Sequence, residues 1–109
     1  MITLMQGDSY PLFIELKQNQ IKLEPNMVDD VEICVSDQLR KAYSEAGVGY
    51  DSEIQKWYIR PSQKETLAMA EGVHNVIARV KYRNQPQADV KGINVGKIKI
   101  IGTFSEEVL

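Results

Sequence analysis

Hydrophobic and polar positions along this chain alternate with a period of two over several stretches, which predicts strands rather than helices. Residues 31–36 set Val31, Ile33 and Val35 against Glu32, Cys34 and Ser36, the pattern of a half-buried strand. Residues 76–83 repeat it at greater length. Val76, Ala78, Val80 and Tyr82 form an apolar side, while Ile77, Arg79, Lys81 and Arg83 form a mostly basic, solvated one. Tyr10, Leu12, Ile14 and Leu16 predict an earlier strand whose polar side is interrupted by Phe13. Pro11, which has no N–H to donate, marks its start as an exposed edge. A further strand is predicted around Ile54 to Ile59, with Ile54 and Tyr58 on one face and Trp57 and Ile59 on the other. Near the C-terminus, Val90 to Val95 and Lys97 to Ile101 predict two segments separated by bulges or bends at Gly92 and Gly96, with Ile98 and Ile100 pointing one way.

Breaker residues punctuate these strands. QNQIKLEPN, with Pro25 and Asn26, is a turn-rich connector, and NQPQ (residues 84–87) is a turn. Asp37 to Ala46 is polar; Leu39, Ala42, Tyr43 and Ala46 recur at helical spacing, but the segment is expected to be a loop with a frayed turn. Pro61 disfavours helical backbone at Arg60 and ends a strand. Ser62 and Glu65 then match the capping box that starts a helix. Leu67 and Ala70 would share one side of this helix, and Gly72 sits where a left-handed residue would stop it. The tail, TFSEEVL, is short and acidic. About six or seven short strands with one helical turn predict an all-β, antiparallel two-layer sandwich. A parallel α/β sheet would require crossover helices for which the chain has no room.

Composition narrows the functional classes. At 109 residues the chain is expected to form one domain, residues 1–109, with a modest core. A formal net charge of −2 without a basic run gives no electrostatic footprint for nucleic acid or an anionic membrane, so neither is expected as a partner. The single cysteine, Cys34, has no internal disulfide partner, and no Cys/His spacing reads as a zinc site. With no leader pattern and no apolar run of membrane length, synthesis in the cytoplasm is the expectation.

The candidate chemistry is thin. His74 is the only histidine, and nothing in the sequence pattern supplies it with a serine or cysteine partner; it is expected to be packed or solvated at a strand rim. Cys34 is expected to be a small packing group. The carboxylates Asp29–Asp30 and Glu106–Glu107 are adjacent pairs, which a strand sends to opposite faces, and Asp51 with Glu53 lacks calcium-loop spacing; solvated loops are expected for all three. GINVG precedes no helix and cradles no phosphate, and Gly47 and Gly49 are expected to loosen a loop. Arg79, Lys81 and Arg83, with Tyr43, Tyr50 and Trp57 elsewhere, fit a solvated face or a polar protein interface better than a nucleic-acid platform. No catalytic, cofactor-binding or metal-binding residue is assigned. An enzyme would need a convergent polar cluster built on His74 or the loop carboxylates.

Four stretches taken in order carry a resemblance: QGDSYPLFIEL, VDDVEICVSD, LAMAEGVHNVIARVKYRN and VGKIKIIGTFSEEVL. Together they resemble the immunoglobulin-like sandwich domain of tail and upper-baseplate proteins from siphophages of Gram-positive bacteria and the matching prophages. The resemblance spans Ile2 to Leu109; the connector QNQIKLEPNMVDD departs from it by lacking a D-L-T-G-type turn. It implies an immunoglobulin-like antiparallel fold and a non-enzymatic structural subunit or adaptor of a tail or baseplate. It also implies a virion location, other tail proteins or further copies of the chain as partners, and no cofactor. The alternative is a carbohydrate-binding β-sandwich module that stacks sugars on Trp57, Tyr58 and Tyr50.

Overall fold

A computed structural model of the chain describes residues 1–83 and 89–109 and is mainly β. The strands are β1 (Ile2–Met5), β2 (Leu12–Ile14), β3 (Lys17–Gln18), β4 (Ile21–Lys22), β5 (Val28–Val35), β6 (Leu39–Ala42), β7 (Val48–Asp51), β8 (Lys56–Ile59), β9 (Gly72–Tyr82) and β10 (Val90–Ile101). One short helix, α1 (Gln63–Leu67), lies between β8 and β9, and single 3-10 turns occupy Pro25–Met27 and Tyr43–Glu45. A five-stranded sheet runs in the order β1-β10-β9-β5-β6, a three-stranded sheet in the order β2-β8-β7, and β3 with β4 forms a separate hairpin.

The inward side chains of both larger sheets meet in one hydrophobic cluster. Val31, Ile33 and Val35 of β5 and Val76, Ala78 and Val80 of β9 contribute from one side, Leu12, Trp57 and Ile59 from the other. This follows from the alternation: β5 from Val31 to Val35 and β9 from His74 to Val80 bury every second residue, while an irregularity between Val28 and Asp30 sets the buried Val28 and Val31 three apart. Trp57 is 1% exposed, and its indole N–H donates to the Leu23 carbonyl at 2.9 Å, so the largest core side chain also anchors the chain just after the β3–β4 hairpin.

Several local expectations are corrected. The sheets are not all antiparallel, because β1 joins β10 in parallel, with Ile2 opposite Ile98 and Met5 opposite Ile101. The segment expected to be a loop holds β6, paired with β5, and the turn Tyr43–Glu45, closed by Ala46 in the left-handed region at φ 59°. Gly47 and Gly49 lead into and lie within β7, which pairs with β8; Ile54 falls in the turn between them and is exposed. Val90 to Ile101 is one strand, not two; its register slips between Asn94 and Gly96, where Gly96 takes φ 132°, and Gly92 pairs regularly with Arg79. In α1 the buried residue is Thr66, followed by Met69 beyond the helix; Leu67 is half-buried and Ala70 exposed. The helix stops at Ala68 in right-handed geometry, and Gly72, at φ 124°, begins β9. The connector after β2 contains the β3–β4 hairpin, whose central Asn19 and Gln20 both have positive φ, as a two-residue type I′ turn demands. The predicted turn at 84–87 lies outside the described residues.

Candidate functional site

The unpaired borders of the sheets are the first surface to consider. Four strands are outermost: β1 and β6 in the larger sheet, β2 and β7 in the smaller. Free strand borders invite pairing, and proteins commonly discourage it with charge or proline. Arg40 and Lys41 lie in β6, Asp51 lies in β7, and Pro11 and Glu15 flank β2. β1, with the sequence ITLM, has none within the strand, but Asp8 covers the outward N–H and carbonyl of Met5, each at 2.9 Å, and the Tyr10 hydroxyl donates to the Thr3 carbonyl at 3.4 Å. Ile2 and Met5 are 41% and 43% exposed, and Phe13 of β2 is 39% exposed. A groove between the two sheets is lined by Ile2, Phe13, Ile14, Val95 and Ile98 together with the charged Glu15 and Lys97, so β1 and β2 border the same groove.

β1 is held in place by the residues that follow it. The Met5 N–H donates to an Asp8 carboxylate oxygen at 2.9 Å, and the Gln6 N–H donates to the Ile101 carbonyl at 2.9 Å. The Gln6 side-chain amide donates to the Met69 carbonyl at 2.8 Å, while the Thr66 hydroxyl receives the Gly7 N–H at 2.9 Å and donates to the Asp8 carbonyl at 2.8 Å. Gly7 turns at φ 94°, where a side chain would be strained, and lies against Leu67. The QGD stretch is thus a clamp between β1 and α1. In α1 the capping box is complete: the Ser62 hydroxyl accepts the Glu65 N–H, and the Glu65 carboxylate accepts the Ser62 N–H.

The structure brings His74 and Ser36 together, although they are far apart in sequence. Ser36 Oγ lies 2.9 Å from His74 Nδ1, and His74 Nε2 lies 2.7 Å from the Ala70 carbonyl oxygen. A carbonyl only accepts, so Nε2 carries a proton and donates it. In the neutral ring, Nδ1 then accepts the Ser36 hydroxyl. Ser36 has φ 49°, its N–H donates to the Asn75 carbonyl at 2.8 Å, and the neighbouring Gln38 side chain accepts the Ala70 N–H at 2.8 Å. These bonds join the β5–β6 hairpin to the segment leading into β9. His74 is 7% exposed, a packed histidine with both ring nitrogens occupied, and its place in this join is structural.

The basic stripe of β9 meets carboxylates across the sheet. Glu32 receives Arg79 Nε at 2.7 Å and also Arg40 Nε, whose guanidinium continues to Glu45 at 3.1 Å. The Arg79 and Arg40 hydrogen bonds hold the Glu32 carboxyl down at about 2. Cys34 borders this cluster; burial, followed by the charge of Glu32, pushes its thiol up, away from the thiolate form that attacks electrophiles. Asp30 is pushed up by burial, but hydrogen bonds from the Ser44 N–H and hydroxyl and from the Val31 N–H outweigh this and leave it below its ordinary value. Asp29 faces Arg83 at 3.4 Å. Asp51 accepts the Glu53 N–H at 3.0 Å within the β7–β8 turn, and Glu106 and Glu107 are exposed in the tail. Among the described residues no three His, Cys, Asp or Glu side chains converge as metal ligands, and no helix is long and apolar enough to cross a membrane.

Tyr43, Tyr50 and Trp57 do cluster, but inward. Both tyrosine rings meet Trp57 edge-on, at centroid distances of 5.3 and 5.1 Å. The buried indole therefore cannot serve as a sugar platform, and the proposed trio of Trp57, Tyr58 and Tyr50 is split between the two faces of the small sheet. Sequence reasoning missed β1 and the Ser36–His74 contact. The alternation of Ile2 and Leu4 with Thr3 and Met5 was available as a signal for the first; no sequence signal marks the second. Comparison with protein-family models, with curated proteins and with solved structures finds no match for the chain.

Proposed function

We propose that the chain is a non-enzymatic structural adaptor with an immunoglobulin-like arrangement of its sheets, and that it joins a phage or prophage tail or baseplate through side-chain contacts at the groove between β1 and β2. The observation that carries this reading is the pair of exposed apolar side chains, Ile2 of β1 and Phe13 of β2, at one groove between the sheets, with Met5 exposed on the other face of β1. A neighbouring subunit seated on this groove would cover Ile2 and Phe13. Another copy of the chain is the first candidate, since tails are symmetric assemblies and repeated contacts of one kind build them. The phage assignment rests on the ordered signatures from QGDSYPLFIEL to VGKIKIIGTFSEEVL.

The test is mass spectrometry of gradient-purified phage particles induced from a bacterium carrying the gene. The chain is expected in the particles at a fixed ratio to other tail proteins. Its absence from intact particles would overturn the assignment.

A further inference from the structure

The outer face of the three-stranded sheet holds an arrangement that the adaptor reading leaves unused. Trp57 and Ile59 of β8 point into the core, so Lys56, Tyr58 and Arg60 point outward. Tyr58 stands opposite Phe13 of β2 on one side and Gly49 of β7 on the other. Its ring meets Phe13 at a centroid distance of 5.8 Å and lies across Gly49 so closely that a Cβ there would come within 2.3 Å of Cζ. Glycine at 49 therefore permits the ring to lie down on the strand, with a flat aromatic face turned outward. Small-ligand clefts typically measure about 300 to 1,000 Å³, and the open groove beside this ring, ≈ 640 Å³, is lined by Lys41, Tyr43, Tyr58 and Arg60.

The charges around the ring are ordered. Lys41 is committed to Glu65 at 2.8 Å, whereas Arg60 forms no ion pair among the described residues. Pro61 favours extended backbone at Arg60, which carries its guanidinium outward on the Tyr58 face. On the other side of Tyr58 a second shallow groove is lined by Asp51 and Glu53. One end thus offers a guanidinium fork suited to a carboxylate, the middle an apolar flat surface, and the other end carboxylate acceptors suited to hydroxyl donors.

We infer that this face binds a carboxylated saccharide, with the C–H face of one sugar ring on Tyr58, its carboxylate or a neighbour's on Arg60, and hydroxyls directed to Asp51 and Glu53. Lys56 stands opposite Asp51 and makes that end of mixed charge, and a polyanionic peptide has no hydroxyl-bearing ring for Tyr58. The site shares Phe13 with the groove beside β1 but requires no tail assembly.

The experiment is an array of uronate- and sialate-bearing oligosaccharides alongside their carboxyl-esterified counterparts, with calorimetry on the glycans retained and hexaglutamate as the peptide probe. Carboxylated glycans are expected to bind, with esterification and Arg60→Gln each weakening binding by about tenfold or more through loss of the charge-assisted pair. Gly49→Ala, which lifts the ring without removing it, and Tyr58→Ala are expected to weaken binding to a similar extent, while Tyr58→Phe retains it. Circular dichroism and the thermal transition of each variant separate lost binding from lost folding, and Arg60→Gln alters only an exposed side chain. No carboxyl-selective glycan on the array, binding unchanged by Arg60→Gln and Gly49→Ala in folded protein, or hexaglutamate bound as tightly as the glycans would each overturn the proposal.

Discussion

Glu32 is held by two guanidiniums, one from β6 and one from β9, and so ties together three adjacent strands through β5. Its carboxyl ionises at about 2 in the folded chain against 4.5 ordinarily, so the stabilisation is fully present above about pH 4.5 and fades as the pH falls towards 2. Both arginines are more than half exposed, and screening by water and salt limits the contribution to about 1 kcal/mol. Urea unfolding at pH 6 and pH 3 should therefore show a smaller acid-induced loss in Glu32→Gln than in the parent; equal losses would contradict the role given to this cluster. At the residue scale, the sequence made the buried sets of β5 and β9 legible because a period of two leaves little freedom about which face turns inward. It also placed Cys34 on the opposite side from Ile33 and Val35. It did not reveal the Ser36–His74 contact, which depends on how the β5–β6 hairpin meets the segment after α1 and leaves no local pattern. It did set Trp57 and Tyr58 on opposite faces of one strand, as β8 has them, although the carbohydrate alternative grouped the two aromatics on a single surface.

At the scale of elements, α1 is five residues long and cannot be stable by itself; its completed capping box and the Thr66 clamp to Gly7 and Asp8 hold it. Ser62→Ala should lower global stability by about 1 kcal/mol, measured by chemical denaturation, with the helix loosening first by amide exchange. An unchanged midpoint would mean that the cap is idle. The capping box was legible because both of its residues are local. The faces of α1 were not, because so short a helix is oriented by hydrogen bonds from the β1–β2 connection rather than by its own periodicity. β6 and β7 were hidden for a different reason: LRKA and VGYD have few β-branched residues, and pairing with β5 and β8 overrides their weak preference. The parallel placement of β1 was illegible because its partner, β10, lies at the far end of the chain.

For the molecule as a whole, the large sheet and the small one close over a shared core of packing side chains and turn distinct surfaces outward. The groove between β1 and β2 exposes Ile2 and Phe13, while the face around Tyr58 is aromatic and polar. The two surfaces meet at Phe13, whose ring also contacts Tyr58. The all-β class was readable from strand patterning; that Ile2 and Phe13 share one groove became readable only once the strand order set β1 and β2 at the borders of their sheets. The most direct test of the account is light scattering across a range of protein concentrations, comparing the parent chain with Ile2→Lys, which places a charge at the β1 border without touching a buried residue. The account predicts that the parent associates with rising concentration and that Ile2→Lys, with an unchanged circular dichroism spectrum, remains a monomer. A parent chain that stays monomeric throughout, or a variant that associates equally well, would contradict it.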